Sequence, residues 1–165
     1  RQAVVTPAVK DLLVRRGIAL EYADTEENAK RPIRLVIVAA ATDFDPAALA
    51  ASVEREGFRA ERSESDCLIA AVDKLTKEVS TPDTLGVLLT SHTAAGLCLA
   101  NRLAGVRAII GTNAAETSRS AAAVGANVLV ADPTSGGFFR LKQVVTEFAQ
   151  GGVRLCPTVF HDRLK

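Results

Sequence analysis

Apolar residues fall in two patterns along this chain: short unbroken runs, and longer stretches where they recur every three or four residues. Leu35-Val36-Ile37-Val38-Ala39-Ala40-Ala41 is a run of strand length, the signature of a parallel strand covered on both faces. Asp45-Pro46 opens a helix that Gly57 closes, and Phe58 to Arg62 forms a second strand. Asp66 to Val79 carries Leu68, Ile69, Val72 and Leu75 at helical spacing, and Thr81-Pro82-Asp83 breaks it before a buried strand at Gly86-Val87-Leu88-Leu89. Thr90 to Gly96 reads as the turn after that strand and Leu97 to Leu103 as the next helix. Arg107 to Ile110, Asn113 to Val124, Asn127 to Val130 and Phe138 to Phe148 repeat the alternation. Val153 to Leu155, before Pro157, is placed at a sheet edge.

Parallel neighbours need crossover connections, so about five strands separated by helices predict an α/β, Rossmann-like open parallel sheet with helices on both faces. The expected organisation is an N-terminal helix and linker over 1–32, an α/β domain over 33–150 and a tail over 151–165. Thr6-Pro7 starts the N-terminal helix, whose Val9, Leu12 and Leu13 make it amphipathic as far as Gly17. Residues 4–17 are the expected contact for a protein partner, with packing on the chain's own domain or dimer mate as the alternative. Because the first residue is Arg1, the native start is expected to be trimmed or missing.

Composition narrows the class. A length of 165 residues suits one domain, and 48% hydrophobic with 24% charged residues suits a soluble globular protein. Twenty basic residues against 19 acidic leave a net charge of +1, and aromatics are 4% without Trp, so neither a nucleic-acid nor an anionic-membrane partner is indicated. There is no signal-peptide core and no run long enough to span a bilayer. Cys67, Cys98 and Cys156 are odd in number and widely spaced, which disfavours disulfides and a zinc site. They read as reduced cytoplasmic thiols, with Cys98 and Cys67 as small core residues. No cofactor or metal is expected.

Ligands of open α/β sheets gather at the carboxyl ends of the strands. The candidate loops are therefore Ala39 to Asp43, Thr90 to Gly96, Gly111 to Asn113 and Ala131 to Ser135. His92 stands in a polar Thr-Ser-His-Thr loop and is a candidate base, with a partly exposed loop histidine as the plain alternative. Asp43 and Asp132 reach it only if their loops fold inward. Ser135-Gly136-Gly137 is able to cradle an anion at a helix N-terminus, although a turn and cap explains it more simply.

Asn101-Arg102-Leu103-Ala104-Gly105-Val106-Arg107-Ala108 and Ala126-Asn127-Val128-Leu129, with the strand and helix spacing over about residues 34 to 148, resemble the ribose-5-phosphate isomerase B and galactose-6-phosphate isomerase family. That resemblance implies an aldose-ketose isomerase acting on a sugar phosphate, built as a dimer or tetramer. It also implies a Cys base in a Gly-rich oxyanion loop, an Asp-His pair, a ring-opening His and phosphate-binding arginines.

Here the base position is Thr90 and the rest of the loop is Ser91, His92, Thr93, Ala94 and Ala95. The Asp-His pair falls on Ala40 and Ala41, and the ring-opening His on Thr112. Asn113 alone keeps a polar group, while the two arginines fall on Thr134 and Ala121. A Thr hydroxyl does not abstract a carbon-bound proton without its own base.

Three readings follow. One is a catalytically degenerate relative serving in binding or assembly. Another is a divergent isomerase using His92 and Thr90, and the third is the inactive subunit of a heteromeric isomerase. Ligand contacts are expected from Thr90, Ser91, His92, Thr93, Thr112, Asn113 and Thr134. The N-terminal segment also resembles helices of enzymes associated with bacterial microcompartments, which would place the protein there within the cytoplasm.

Overall fold

In the computed structural model, which describes Arg16 and residues 32–164, the first apolar run forms β1 (Arg34–Ala40). It stops at Ala40 because Ala41 turns into a left-handed conformation, φ 49°. After it come α1 (Ala47–Glu54), β2 (Arg59–Ser65), α2 (Leu68–Glu78), β3 (Thr84–Leu89) and α3 (Thr93–Ala100). The chain continues through β4 (Ala108–Ile110), α4 (Ala114–Val124), β5 (Val128–Ala131) and α5 (Gly137–Gln150). Helix 6–17, the linker after it and the partner surface at 4–17 lie outside the described residues, except for an exposed Arg16.

All strand pairs are parallel, in the order β2-β1-β3-β5-β4. The predicted Rossmann-like α/β sheet with helices on both faces is therefore present. Alternation of side chains along each strand divides the core into two layers. Leu35, Ile37, Val87 and Leu129 face α1, α4 and α5, where Leu49, Val53, Val145 and Phe148 are buried. Val36, Val38, Leu88 and Val130 face the other way onto Val72 and Leu75 of α2 and Ala100 of α3. The outermost strand β2 is polar, with Arg59, Glu61, Arg62 and Glu64, as an edge exposed to water requires. No helix among the described residues is long and apolar enough to cross a membrane.

Several expectations are corrected. The helix after β3 begins at Thr93, four residues before the predicted Leu97, and ends at Ala100. Gly96 belongs inside it because the helix passes close to the sheet there: a β-carbon at Gly96 would stand 2.9 Å from Leu88 Cδ2. Helix α2 starts two residues later than Asp66, since the Ser65 hydroxyl accepts the Cys67 amide N–H at 3.3 Å and holds that turn.

Residues 153–155 join no strand. Arg154 pins the segment instead, donating from Nη1 to the Phe148 carbonyl at 3.3 Å and lying over the Phe148 ring at 5.7 Å. Burial of its stem lowers the Arg154 pKa. Cys98 and Cys67 are exposed rather than core residues. In α3 the buried positions are Gly96 and Ala100, and Cys98 lies halfway between them, about 200° around the helix from each. Cys67 precedes the first turn of α2 in an extended conformation, φ −105°, and so escapes the packed face.

Candidate functional site

The chain passes from β1 to β2 on one side and returns to β3 on the other, so the β1/β3 boundary is the topological switch point. The loops after these strands meet there, and Ser91 Oγ donates to the Ala41 carbonyl at 3.1 Å. A shallow cavity of about 530 Å³ lies beside that contact, lined by Thr42, Asp43, Phe44, Ser91 and Thr134. It contains a carboxylate and no basic side chain.

A second cavity, about 210 Å³, opens at the ends of β4 and β5 against the start of α5. Thr93, Gly111, Thr112, Asp132, Ser135 and Arg140 contribute to its wall. Arg140 reaches it by folding back over its own helix terminus, where a β-carbon on Gly136 would stand 2.5 Å from Arg140 Cδ. Gly136 is left-handed, φ 88°, and leaves that path open. Arg140 Nε donates to the Thr112 carbonyl at 2.8 Å, which fixes the guanidinium beside the opening.

In the same wall, Asp132 Oδ1 accepts the Thr134 hydroxyl at 2.7 Å and the Thr134 amide N–H at 2.8 Å. These two bonds hold the Asp132 carboxyl below its usual range, against the smaller opposing effect of burial, so it is ionised at neutral pH.

The predicted residues do not converge on one site. Thr90 is fully buried, with its hydroxyl accepting the His92 amide N–H at 3.2 Å, and it lines neither cavity. His92 is exposed immediately before α3, and its imidazole has no hydrogen-bond or ion-pair partner among the described residues; neither Asp43 nor Asp132 bonds it. Thr93 and Thr112 line the smaller cavity, Ser91 and Thr134 the larger. Asn113 caps α4, its Oδ1 accepting the Glu116 amide N–H at 2.9 Å. Ala40 is buried in the core. None of the loop residues from Thr90 to Ala95 has a positive φ.

Arg140 went unnoticed in the sequence because it sits one turn into a helix, where a basic residue ordinarily faces water. The double glycine before it was the available signal, since it permits a side chain from the first turn to fold back.

Together the layers, the crossed topology and the polar cavities at the carboxyl ends of the strands define an open, doubly wound α/β protein. No protein-family model matches the chain, and no curated protein does. Solved structures do match, and the fold is that of the type B ribose 5-phosphate isomerases. The Leishmania infantum enzyme matches with a TM-score of 0.69 at 12% identity, over 81% of this chain and 93% of that one. The Trypanosoma brucei enzyme gives 0.66 at 17%, over 81% and 95%. Ribose-5-phosphate isomerase B from Mycoplasma genitalium, solved with bound ribulose-5-phosphate, gives 0.61 at 15%, over 81% and 93%.

Proposed function

We propose that this protein is a catalytically degenerate relative of the type B isomerases that binds a small phosphorylated sugar without isomerising it. The observation that carries this reading is Thr90. At the position where the resemblance puts the base, a fully buried hydroxyl is engaged by the His92 amide and lines neither cavity. Buried Ala40 and its neighbour Ala41 replace the Asp-His pair, so neither side chain of that pair is present to accept a proton. A proton transfer requires an acceptor within hydrogen-bond reach of the carbon acid, and His92 is the one imidazole in these loops.

What supports retained binding is the fold's polar end, where an arginine, an ionised carboxylate and three hydroxyl side chains share one opening. The bound ribulose-5-phosphate of the Mycoplasma genitalium relative suggests the ligand class. Calorimetric titration with ribose 5-phosphate, run beside a coupled assay for its conversion to ribulose 5-phosphate, tests both halves. Saturable binding without turnover is the expected result. Turnover that disappears in His92→Ala would overturn it in favour of a divergent isomerase.

A further inference from the structure

We infer that the cavity between β4, β5 and α5 is the anion-binding site of this protein, taking a short phosphorylated polyol with its phosphate on Arg140 and a hydroxyl on Asp132. This rests on the binding reading above and deepens it by assigning the site and the orientation of the ligand.

Charge separates the two cavities. The one at the β1/β3 switch point offers Asp43 and no cation, so a phosphate placed there meets only like charge. The smaller one has the Arg140 guanidinium in its wall. Its Nε is committed to the Thr112 carbonyl, and that bond orients the planar group while both Nη atoms make no hydrogen bond among the described residues. A pair of such donors matches two oxygens of a phosphate. Hydroxyls of Thr93, Thr112 and Ser135 stand in the same lining and are suited to the remaining oxygens.

Asp132 is the charged partner for a second group of the ligand in the same lining. Its Oδ1 already accepts two bonds from Thr134 and the Ser135 amide also approaches the carboxyl, yet a carboxylate has four lone-pair sites and so keeps acceptor capacity for a ligand hydroxyl. A bare anion filling the cavity would face this carboxylate, whereas a hydroxyl would donate to it. The preferred ligand is therefore one with anionic and hydroxylic ends. A volume of about 210 Å³ lies below the roughly 300 Å³ at which drug-sized pockets begin, so the carbon chain is short.

Three probes read this out by calorimetry on the full chain: inorganic phosphate, glycerol 3-phosphate and ribose 5-phosphate, with glycerol as the uncharged control. Wild type binds glycerol 3-phosphate more tightly than inorganic phosphate and glycerol not measurably. Arg140→Gln lowers affinity for both phosphorylated polyols by about tenfold or more, the loss expected for a charge-assisted hydrogen bond, and Arg140→Lys recovers part of it. Asp132→Asn keeps an acceptor for Thr134 yet removes the charge, so it strengthens inorganic phosphate binding and narrows the preference for glycerol 3-phosphate. Thermal melts of each variant confirm folding.

Equal affinity of wild type and Arg140→Gln for ribose 5-phosphate overturns this assignment and leaves the binding reading standing. Failure of wild type to bind any of the phosphorylated probes overturns both.

Discussion

The Thr90 hydroxyl accepts the His92 amide N–H at 3.2 Å from a position with no exposure to solvent. This bond closes the turn between β3 and α3, and the Gly96 amide then donates to the His92 carbonyl at 2.9 Å to start the helix. The side chain where a relative would hold its base is thus a hinge pin of the fold. Restoring the sulfur alone should not restore chemistry: Thr90→Cys is expected to show no isomerase activity, because the thiol would be enclosed and Ala40 and Ala41 supply no partner. Thr90→Val, which removes the acceptor and keeps the shape, should cost about 1–2 kcal/mol of stability in urea denaturation. Activity appearing in Thr90→Cys would show that the loop moves far more than the packing implies.

Acid should weaken the edge of the sheet through a specific ion pair. Arg34 Nε and Nη2 donate to the two Glu61 carboxylate oxygens at 2.9 and 2.6 Å, and Nη2 also reaches Glu78 Oε2 at 2.7 Å. The bonds to Glu61 and Glu78 raise the Arg34 pKa, so it keeps its charge throughout and adds no pH slope of its own. The Arg34 hydrogen bonds hold the Glu61 carboxyl below the ordinary value of a glutamate, 4.5. A carboxyl whose folded pKa is depressed stabilises fully above its unfolded value and loses that contribution as pH falls through the folded one. Wild type should therefore lose stability below about pH 4.5, and Glu61→Gln, weaker at pH 7, should show a shallower acid limb. Urea midpoints at pH 7 and pH 3 give the comparison, and parallel acid limbs would contradict it.

The segments that carried the resemblance turn out to be structural, which explains why the fold was legible and the site was not. Asn101 Oδ1 accepts the Ala108 amide N–H at 2.8 Å while its Nδ2 donates to the Ala108 carbonyl at 3.1 Å. Asn127 does the same across the loop, accepting from the Arg107 amide at 2.8 Å and donating to the Gly105 carbonyl at 2.8 Å. Arg107 Nε then reaches the Gly125 carbonyl at 2.7 Å. These side chains satisfy backbone groups at the entrance of β4 and β5, so their spacing follows the fold and survives replacement of the chemistry. The site depends instead on where Arg140 folds and how Asp132 is held, which are three-dimensional facts with no periodic trace. The exposed Cys98 was misplaced for a related reason: α3 is apolar all round, so hydrophobicity alone did not tell its buried side from its free one.

If those asparagines are supports, they should behave as such. Asn127→Ala leaves the Arg107 amide and the Gly105 carbonyl without their partner and should destabilise by roughly 2–3 kcal/mol, given the cost of unpaired polar groups in a largely buried setting. Asn127→Asp retains the acceptor but loses the donor and should fall between. Denaturation midpoints measure the series, and phosphate affinity measured under folding conditions should stay unchanged, since Asn127 lines neither cavity.

Gly125 couples α4 to the C-terminal segment. It ends α4 in a left-handed conformation, φ 64°, and a β-carbon there would collide with the Leu155 backbone carbonyl. The pressure comes from two sides, because Arg107 Nε holds the Gly125 carbonyl while Arg107 Nη2 reaches the Arg154 carbonyl at 3.5 Å. Gly125→Ala therefore has two consequences that can be told apart. The left-handed backbone costs about 1 kcal/mol or more in global stability wherever the tail lies. The collision, in contrast, must displace residues 154–156, since α4 is fixed to the core through fully buried Ala121. Removing the tail's contacts with Gly125 should expose the Arg154 bond to protease, so trypsin is expected to cut after Arg154 faster in Gly125→Ala than in wild type. A stability loss with unchanged cleavage at Arg154 would mean that the tail shifts with the helix and is not wedged against it.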